Sequence, residues 1–87
     1  MEFEWDPDKA AANAKKHGVD FVEATTVFAD PLELTISDPD HSGGEHRFLS
    51  IGISAIGRLL VVAYTERSGQ TRIINAREAS AQEADRL

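Results

Sequence analysis

The chain has 87 residues, the size of one domain, and it has no cysteine, which excludes a disulfide framework and a zinc site built on thiolates. No apolar run approaches the roughly 20 residues that span a bilayer, and no signal peptide is visible, so we expect a cytoplasmic protein without membrane contact. The formal net charge is −6, so any contact with nucleic acid requires a local cationic patch on an acidic body.

The N-terminal segment predicts a short strand followed by a capped helix. Residues 2–5 alternate polar and aromatic side chains, as a half-buried strand does. Asp6 has the position of an N-cap, and Pro7 has that of the first helical residue. The helix is expected to end near His17, because Gly18 readily adopts the left-handed conformation that stops a helix.

A second capped helix is predicted to begin after Asp20 and to end before Asp30-Pro31. It has one core-facing stripe, as a helix that packs on a sheet requires. The stripe consists of four apolar residues: Phe21, Ala24, Val27 and Phe28.

The second half of the chain is rich in predicted strands, and the run 59–65 is apolar on both faces, which is typical of a central strand. The strands are expected at 32–36, 47–53, 59–65 and 71–76, with a polar loop at 37–44 and a last helix from Ala79. Helices that cluster early and strands that cluster late predict an α+β fold. We expect two N-terminal helices packed on a curved antiparallel sheet, followed by a short C-terminal helix.

A cationic and amide-bearing stripe runs along the first predicted helix. Lys9, Asn13 and Lys16 are spaced so that they share a face, and His17 lies four residues after Asn13 at the helix C-terminus. One interpretation is a phosphate-contacting stripe with a proton-transfer group. The other is a solvated helix face with a histidine that caps the helix.

Three arginines lie at the ends of predicted strands. Arg47 begins one strand, and Arg72 and Arg77 flank the last one, so Arg47 and Arg77 would converge near one edge if these strands are neighbours. Guanidinium groups bind phosphate and stabilise charge that develops on a transferring phosphoryl group. The alternative is ordinary surface arginines that pair with the many carboxylates.

Two further features have competing interpretations. Trp5 could stack on an unpaired base, or it could be a core tryptophan beside a helix cap. The segment that contains His41, Glu45 and His46 has the residue types of a metal site, but it lies in a glycine-rich loop without a second ligand pair, so we expect a solvated loop and no metal.

Taken together in order, these elements resemble the BrnT family, small ribonuclease toxins of bacterial toxin–antitoxin pairs, over nearly the whole chain. The matching elements are Phe3-Glu4-Trp5-Asp6, Lys9, Asn13, Lys16-His17-Gly18-Val19, Phe21, Ala24, Val27-Phe28, Asp30-Pro31, Arg47-Phe48-Leu49-Ser50-Ile51-Gly52, Val61-Val62, Ile73-Ile74-Asn75-Ala76-Arg77, Ala79-Ser80 and Glu83.

The resemblance implies a single toxin domain over residues 1–87 with a fold similar to the RelE-type toxins. Such a toxin cleaves RNA without a metal or other cofactor, by attack of the 2′-hydroxyl on the adjacent phosphate, and it arrests growth. Its implied partner is a BrnA-type antitoxin with a ribbon-helix-helix module. The complex would repress its own operon, so the toxin would reach operator DNA only through the antitoxin.

The roles implied for single residues follow that chemistry. Arg47 and Arg77 are expected to stabilise charge, and His17 or Glu66 to transfer protons; Glu66 is inferred from its place beside Arg67. The RNA-binding residues would be Lys9, Lys16, Arg72 and Trp5. Two other functions stay open: a catalytically weak or inactive co-repressor that binds the antitoxin, and an interaction protein unrelated to toxins.

Overall fold

The computed structural model describes residues 1–38 and 45–85. In it, the helical segments from the first half of the chain pack on one face of a five-stranded sheet, and the short C-terminal helix lies on the other face. The strands are β1 (Glu2–Glu4), β2 (Leu34–Ser37), β3 (Arg47–Ile53), β4 (Leu59–Arg67) and β5 (Gln70–Glu78). The helical segments are α1 (Pro7–His17), α2 (Phe21–Thr25), a 3₁₀ segment (Thr26–Ala29) and α3 (Ala81–Asp85). Within the part of the chain described, none of these helices is long and apolar enough to cross a membrane.

The sheet is mixed, with the strand order β1-β5-β4-β3-β2. The predicted α+β class and the central position of β4 are confirmed, but the prediction of a wholly antiparallel sheet was wrong. β2, β3, β4 and β5 pair antiparallel, whereas β1 lies parallel to β5. The reason is that β1 is joined to β5 by nearly the whole chain rather than by a hairpin, and such a long connection allows parallel pairing.

The first helix has the predicted bounds because local signals fix both ends. The Asp6 carboxylate accepts a hydrogen bond from the Asp8 backbone N–H (2.9 Å), and Pro7 opens the helix. Gly18 ends it with φ +69° in the left-handed region, and its N–H donates to the Ala14 carbonyl.

The second predicted helix is divided, so the number and order of helical segments differ from the prediction. After α2 the backbone tightens into the 3₁₀ segment. At this point the Thr25 hydroxyl donates to the Val22 carbonyl (2.7 Å), and the Thr26 hydroxyl donates to the Glu23 carbonyl (2.6 Å). Hydroxyl groups that occupy helical carbonyls in this way compete with continuation of the α-helix.

The hydrophobic core lies between the helical layer and the sheet, and aromatic rings extend it. Phe28 packs edge-on against Tyr64 (centroids 5.1 Å apart), and Phe48 stacks on the same ring (5.4 Å). The buried cluster consists of Val19, Phe21, Ala24, Val27, Leu60, Val62, Tyr64, Ile73 and Ala76.

The opposite face of the sheet is here called the open face. The side chains of β4 alternate between the core and this second face, as the period of a strand requires. The same alternation and the strand register place these residues on the open face: Leu34, Ile36, Arg47, Leu49, Ile51, Ile53, Leu59, Val61, Ala63, Thr65, Arg67, Arg72 and Arg77.

Asn13 joins α1 to β5 instead of lying on an exposed stripe. Its side chain is only 6% exposed. Its amide N–H groups donate to the carbonyls of Val19 (3.0 Å) and Ala76 (2.8 Å), and its carbonyl accepts from the Ala76 N–H (3.1 Å). Because β1 pairs only with Gln70 to Arg72, the edge of β5 at Ala76 lacks a strand partner, and Asn13 supplies both hydrogen bonds in its place.

An ion-pair cluster fixes α2 against the turn between β3 and β4. Glu23 accepts hydrogen bonds from the Arg58 guanidinium (Nε, 3.0 Å) and from the Ser54 hydroxyl (2.7 Å). The Arg58 guanidinium lowers the pKa of Glu23. Arg58 also donates to the carbonyl of Gly18 (3.0 Å), so a single side chain connects the end of α1, the start of α2 and the sheet.

Candidate functional site

A cationic hollow of about 150 Å³ lies at one end of the open face. Four of the nine basic side chains of the chain line it, although the protein as a whole is acidic. Its lining residues are Lys9, Glu45, Arg47, Thr65, Arg67, Arg72 and Ile74. The separation of charge that an acidic nucleic-acid-binding protein requires is therefore present locally.

The strand register creates this hollow. Arg47 lies opposite Thr65 on β4, and Thr65 lies opposite Arg72 on β5, so the three residues form one row across three strands. Residues directly opposite in antiparallel strands have Cβ atoms roughly 5 Å apart. Arg67 lies two residues further along β4 on the same face, and Lys9 reaches the hollow from α1.

Carboxylates of the protein already form ion pairs with some of the arginines in this hollow. The Arg67 guanidinium binds both oxygens of Glu45, with Nε 2.9 Å from Oε2. This pairing lowers the pKa of Glu45 and raises that of Arg67. Arg72 Nη1 lies 3.7 Å from a Glu4 oxygen, whereas the Lys9 ammonium makes no ion pair or hydrogen bond with any described residue. Two arginines of the hollow are therefore paired with carboxylates of the protein itself, and Lys9 is a cation of the hollow that, among the described residues, is not.

A second hollow continues the first along α1. It shares Lys9 and Ile74 with the cationic hollow, so the two form one continuous surface. Its lining residues are Lys9, Ala12, Asn13, Lys16, His17, Ile74 and Asn75. The structure thus brings five predicted site residues to one surface: Lys9, Lys16, His17, Arg47 and Arg72.

Arg77 lies outside both hollows, and the predicted convergence of Arg47 and Arg77 was wrong. Arg77 is opposite Val61, four residues along β4 from Thr65, which is roughly 13 Å at the usual rise of a strand. Its guanidinium binds both oxygens of Glu83 in α3 (2.7 and 2.8 Å). This contact raises the pKa of Arg77 and lowers the pKa of Glu83 to about 2. The physical reason is that Arg77 is far from the β4–β5 turn, beside which Arg47 and Arg72 lie.

Glu66 and Trp5 also lie away from the two hollows. Glu66 is on the other face of β4 and accepts a hydrogen bond from the Thr71 hydroxyl (3.0 Å). Trp5 packs edge-to-face on Phe21, with ring centroids 5.9 Å apart, and against the buried core. The interpretation of Trp5 as a core residue fits this position better than base stacking does.

Two lining residues, Thr65 and Arg67, were not predicted as site residues. Thr65 is only 4% exposed, and its hydroxyl has no hydrogen-bond partner among the described residues. The sequence signal for both was the alternation along β4, where Val61, Ala63, Thr65 and Arg67 share a face that changes from apolar to polar. The sequence alone does not give the strand register that places Thr65 between Arg47 and Arg72.

The possible metal-binding segment is only partly described. His41 lies outside the described residues. His46 is near the Ser37 hydroxyl (2.9 Å) and packs on the Phe48 ring. Over residues 1–38 and 45–85, no group of three or more histidine, aspartate or glutamate side chains is arranged to hold a metal ion.

The other end of the open face is an apolar groove. Leu32 at its rim is 87% exposed, and Leu34 and Ile53 are each nearly half exposed. The groove is lined by Asp30, Leu32, Leu34, Ile51, Gly52, Ile53, Leu59 and Ala84. On the core side of the same strand, a Cβ at Gly52 would lie 3.0 Å from Val27 Cγ1 and 3.2 Å from an Asp30 oxygen, so the 3₁₀ segment packs closely against β3 behind the groove. An exposed apolar surface of this kind is typical of a binding site.

The chain is similar to known proteins both in sequence and in fold. A family model described as "Ribonuclease toxin, BrnT, of type II toxin-antitoxin system" matches residues 5–83. The chain belongs to the BrnT family. Membership identifies it as a ribonuclease toxin of a type II toxin–antitoxin pair, and it implies a protein antitoxin as partner.

A solved structure with a similar fold is that of the Brucella abortus ribonuclease toxin BrnT. The TM-score is 0.68 and the sequence identity is 23%, and the match covers 92% of this chain and 97% of that chain. No curated protein matches the chain. At this identity the structural likeness shows a shared fold, while the family model shows the family.

Proposed function

We propose that residues 1–87 form one RelE-like toxin domain that cleaves RNA without a metal ion and that holds the scissile phosphate in the cationic hollow. The observation that carries this proposal is the row of Arg47, Thr65 and Arg72 across three strands, with Lys9 and Arg67 around it, on a protein of net charge −6. A cluster of cations on an acidic protein is energetically unfavourable by itself, and a polyanionic substrate explains why it is present.

The proposed reaction uses the 2′-hydroxyl of RNA as its nucleophile. Its oxygen forms a bond to the adjacent phosphorus, the bond from phosphorus to the 5′-oxygen breaks, and a 2′,3′-cyclic phosphate and a 5′-hydroxyl result. One proton leaves the 2′-hydroxyl and one is delivered to the leaving 5′-oxygen. Negative charge grows on the phosphoryl oxygens in between, and fixed cations stabilise it.

The side chains on the continuous surface can be assigned to these steps. Arg47 and Arg72 would stabilise the phosphoryl charge, and Lys9, which lies between the hollows, would hold the RNA backbone together with Lys16. His17 is the proton-transfer candidate on this surface, because imidazole is the commonest general acid or base in enzymes.

Three residues predicted from the sequence receive no catalytic or RNA-binding role in this proposal. Glu66 is on the wrong face of β4, Arg77 is held by Glu83, and Trp5 is packed against the core.

We further propose that a BrnA-type antitoxin binds the apolar groove and extends along the open face to the hollow. The groove and the hollow lie on the same strands, so one ligand can cover both. The antitoxin segment that fits has apolar side chains for Leu34 and Ile53 and acidic side chains for the arginines. The complex would repress its own operon through the DNA-binding module of the antitoxin.

The direct test is cleavage of single-stranded RNA by the purified protein in EDTA. We expect cleavage to persist, and a substrate with a 2′-deoxy sugar at the cleaved position to resist it. Lys16→Ala should reduce cleavage, whereas Lys15→Ala, one residue away on α1 and outside both hollows, is the matched control. Loss of cleavage in EDTA would refute the metal-free mechanism.

One alternative is a catalytically inactive co-repressor that only binds the antitoxin. The observation in its favour is that Arg67 and Arg77 are engaged by Glu45 and Glu83, so two arginines are partly neutralised. It predicts that strong expression without antitoxin leaves growth unchanged while antitoxin binding is tight. The ribonuclease proposal predicts growth arrest under the same conditions.

A further inference from the structure

The Thr65 hydroxyl is the one buried side-chain oxygen in the described part of the chain without a hydrogen-bond partner. Buried hydroxyl groups nearly always have one. Thr71 provides the contrast: it is equally buried, at 2% exposed, but its hydroxyl donates to Glu66 (3.0 Å). The orphaned hydroxyl belongs to a residue that lines the cationic hollow, which suggests that its partner is a ligand of that hollow.

The chemistry around Thr65 defines what the ligand must be. Lysine and arginine side chains are hydrogen-bond donors only, and a threonine hydroxyl can also donate. Lys9, Arg47 and Arg72 therefore surround Thr65 with donors, and the nearby Glu45 has both oxygens bound to Arg67. A ligand that accepts from all of these groups at once is an oxyanion with several oxygens, and a phosphate group meets that requirement.

We propose that Thr65 is a phosphate-binding residue whose hydroxyl donates to a non-bridging oxygen of an RNA phosphodiester held by Arg47 and Arg72. The inference rests on the proposed ribonuclease function and deepens it, because it assigns the phosphate to one row of the sheet. An RNA phosphodiester is favoured over free phosphate because the surface continues through Lys9 to Lys16 and His17, which leaves room for the neighbouring nucleotide.

The test compares three threonine variants for binding to a 2′-O-methyl RNA oligonucleotide, which cannot be cleaved, and to inorganic phosphate, both in EDTA. Thr65→Val conserves shape and removes the hydroxyl, Thr65→Ser keeps the hydroxyl, and Thr71→Val removes a hydroxyl from the opposite face. We expect Thr65→Val to weaken RNA binding about tenfold, the loss of one hydrogen bond to a charged group. Thr65→Ser should stay within about twofold of the parent chain, and Thr71→Val should bind unchanged.

Thermal unfolding gives an independent readout. Removing an unpartnered buried hydroxyl costs nothing in the free protein, so Thr65→Val should melt at the same or a higher temperature than the parent. Thr71→Val should melt lower, because Glu66 loses its donor. If Thr65→Val fails to fold, the Thr65 methyl resonance of the parent protein serves instead, and it should shift on RNA addition more than the methyl of Ala63 on the same face.

The outcomes separate this inference from the function. Equal RNA affinity of Thr65→Val and the parent, or equal weakening in Thr65→Ser and Thr65→Val, would overturn the role of Thr65 and leave ribonuclease activity untouched. Binding of inorganic phosphate without RNA binding would overturn the RNA phosphodiester as ligand. Hydroxyl-dependent RNA binding by a protein that never cleaves RNA would support the phosphate site and refute the nuclease.

Discussion

The two ends of the open face are built on the same strands and have opposite chemistry. Beside the β4–β5 turn, the row of Arg47, Thr65 and Arg72 forms the cationic hollow. Four residues along β4 from Thr65, the row through Val61 contains Leu34 and Ile51, and it borders the apolar groove. Under the proposed function, one sheet face of a small protein carries the substrate surface and the partner surface next to each other, so that an antitoxin bound to the groove is positioned to block the hollow.

The largest difference between the two ends is expected when charge is removed from the cationic end alone. Arg47→Ala should lower the rate of RNA cleavage by 10²- to 10³-fold, the usual cost of losing one preorganised donor to developing charge. Antitoxin affinity should change much less, because the groove is intact. Cleavage rates and antitoxin titrations on the same preparation test this. A variant that cleaves normally would remove Arg47 from the site.

The reciprocal change places charge at the apolar end. Leu34→Asp combined with Ile53→Asp should weaken antitoxin binding about 100-fold, the scale of a buried interface hot spot. Both side chains are nearly half exposed, so the fold should survive, and circular dichroism is the control. RNA cleavage should persist. Antitoxin binding that is unaffected would show that the partner binds elsewhere.

The salt dependence of binding should distinguish the cationic end from the apolar end without any mutation. RNA binding releases counterions from the backbone, so we expect its affinity to fall about tenfold between 50 and 200 mM salt. Antitoxin binding to an apolar groove should change only slightly over the same range. Anisotropy titrations at several salt concentrations test both. If the antitoxin complex collapsed in moderate salt, the groove would not be its main contact.

Part of the fold and of the candidate site can be predicted from local sequence signals, and the rest depends on tertiary pairing. Asp6, Pro7 and Gly18 fix α1 because caps act within one turn, and alternation predicts β3 to the residue. The parallel pairing of β1, the division of the second helix and the burial of Asn13 depend on distant partners. Five of the six basic or imidazole side chains of the surface were predicted from the sequence as site residues, and Arg67 was not. Thr65 was not predicted either, since its role exists only once β3 and β5 lie on either side of it.

The smallest effect concerns Arg77, the arginine near the apolar end that Glu83 neutralises. The pKa of Glu83 is about 2 in the folded protein, against 4.5 for the free side chain. The pair therefore stabilises the fold above pH 4.5, and this contribution is lost as the pH falls from 4.5 towards 2. We expect a loss of about 1 kcal/mol in the free energy of unfolding, the scale of a partly exposed ion pair.

Denaturant unfolding at pH 6 and pH 2.5 measures this loss. Glu83→Gln should be less stable at pH 6 and should show a smaller decrease on acidification than the parent chain. Glu2→Gln, at the exposed N-terminus, is the control and should leave the pH profile unchanged. A Glu83→Gln profile identical to that of the parent would mean that the pair contributes nothing.

The central claim is that RNA occupies the cationic end of the open face, and amide NMR with a non-cleavable oligonucleotide tests it most directly. We predict that the resonances of Arg47, Thr65, Arg72 and Ile74 shift on titration, while those of Leu34 and Ile53 stay in place. Shifts that cluster on the apolar groove, or no saturable shifts at all, would contradict the account.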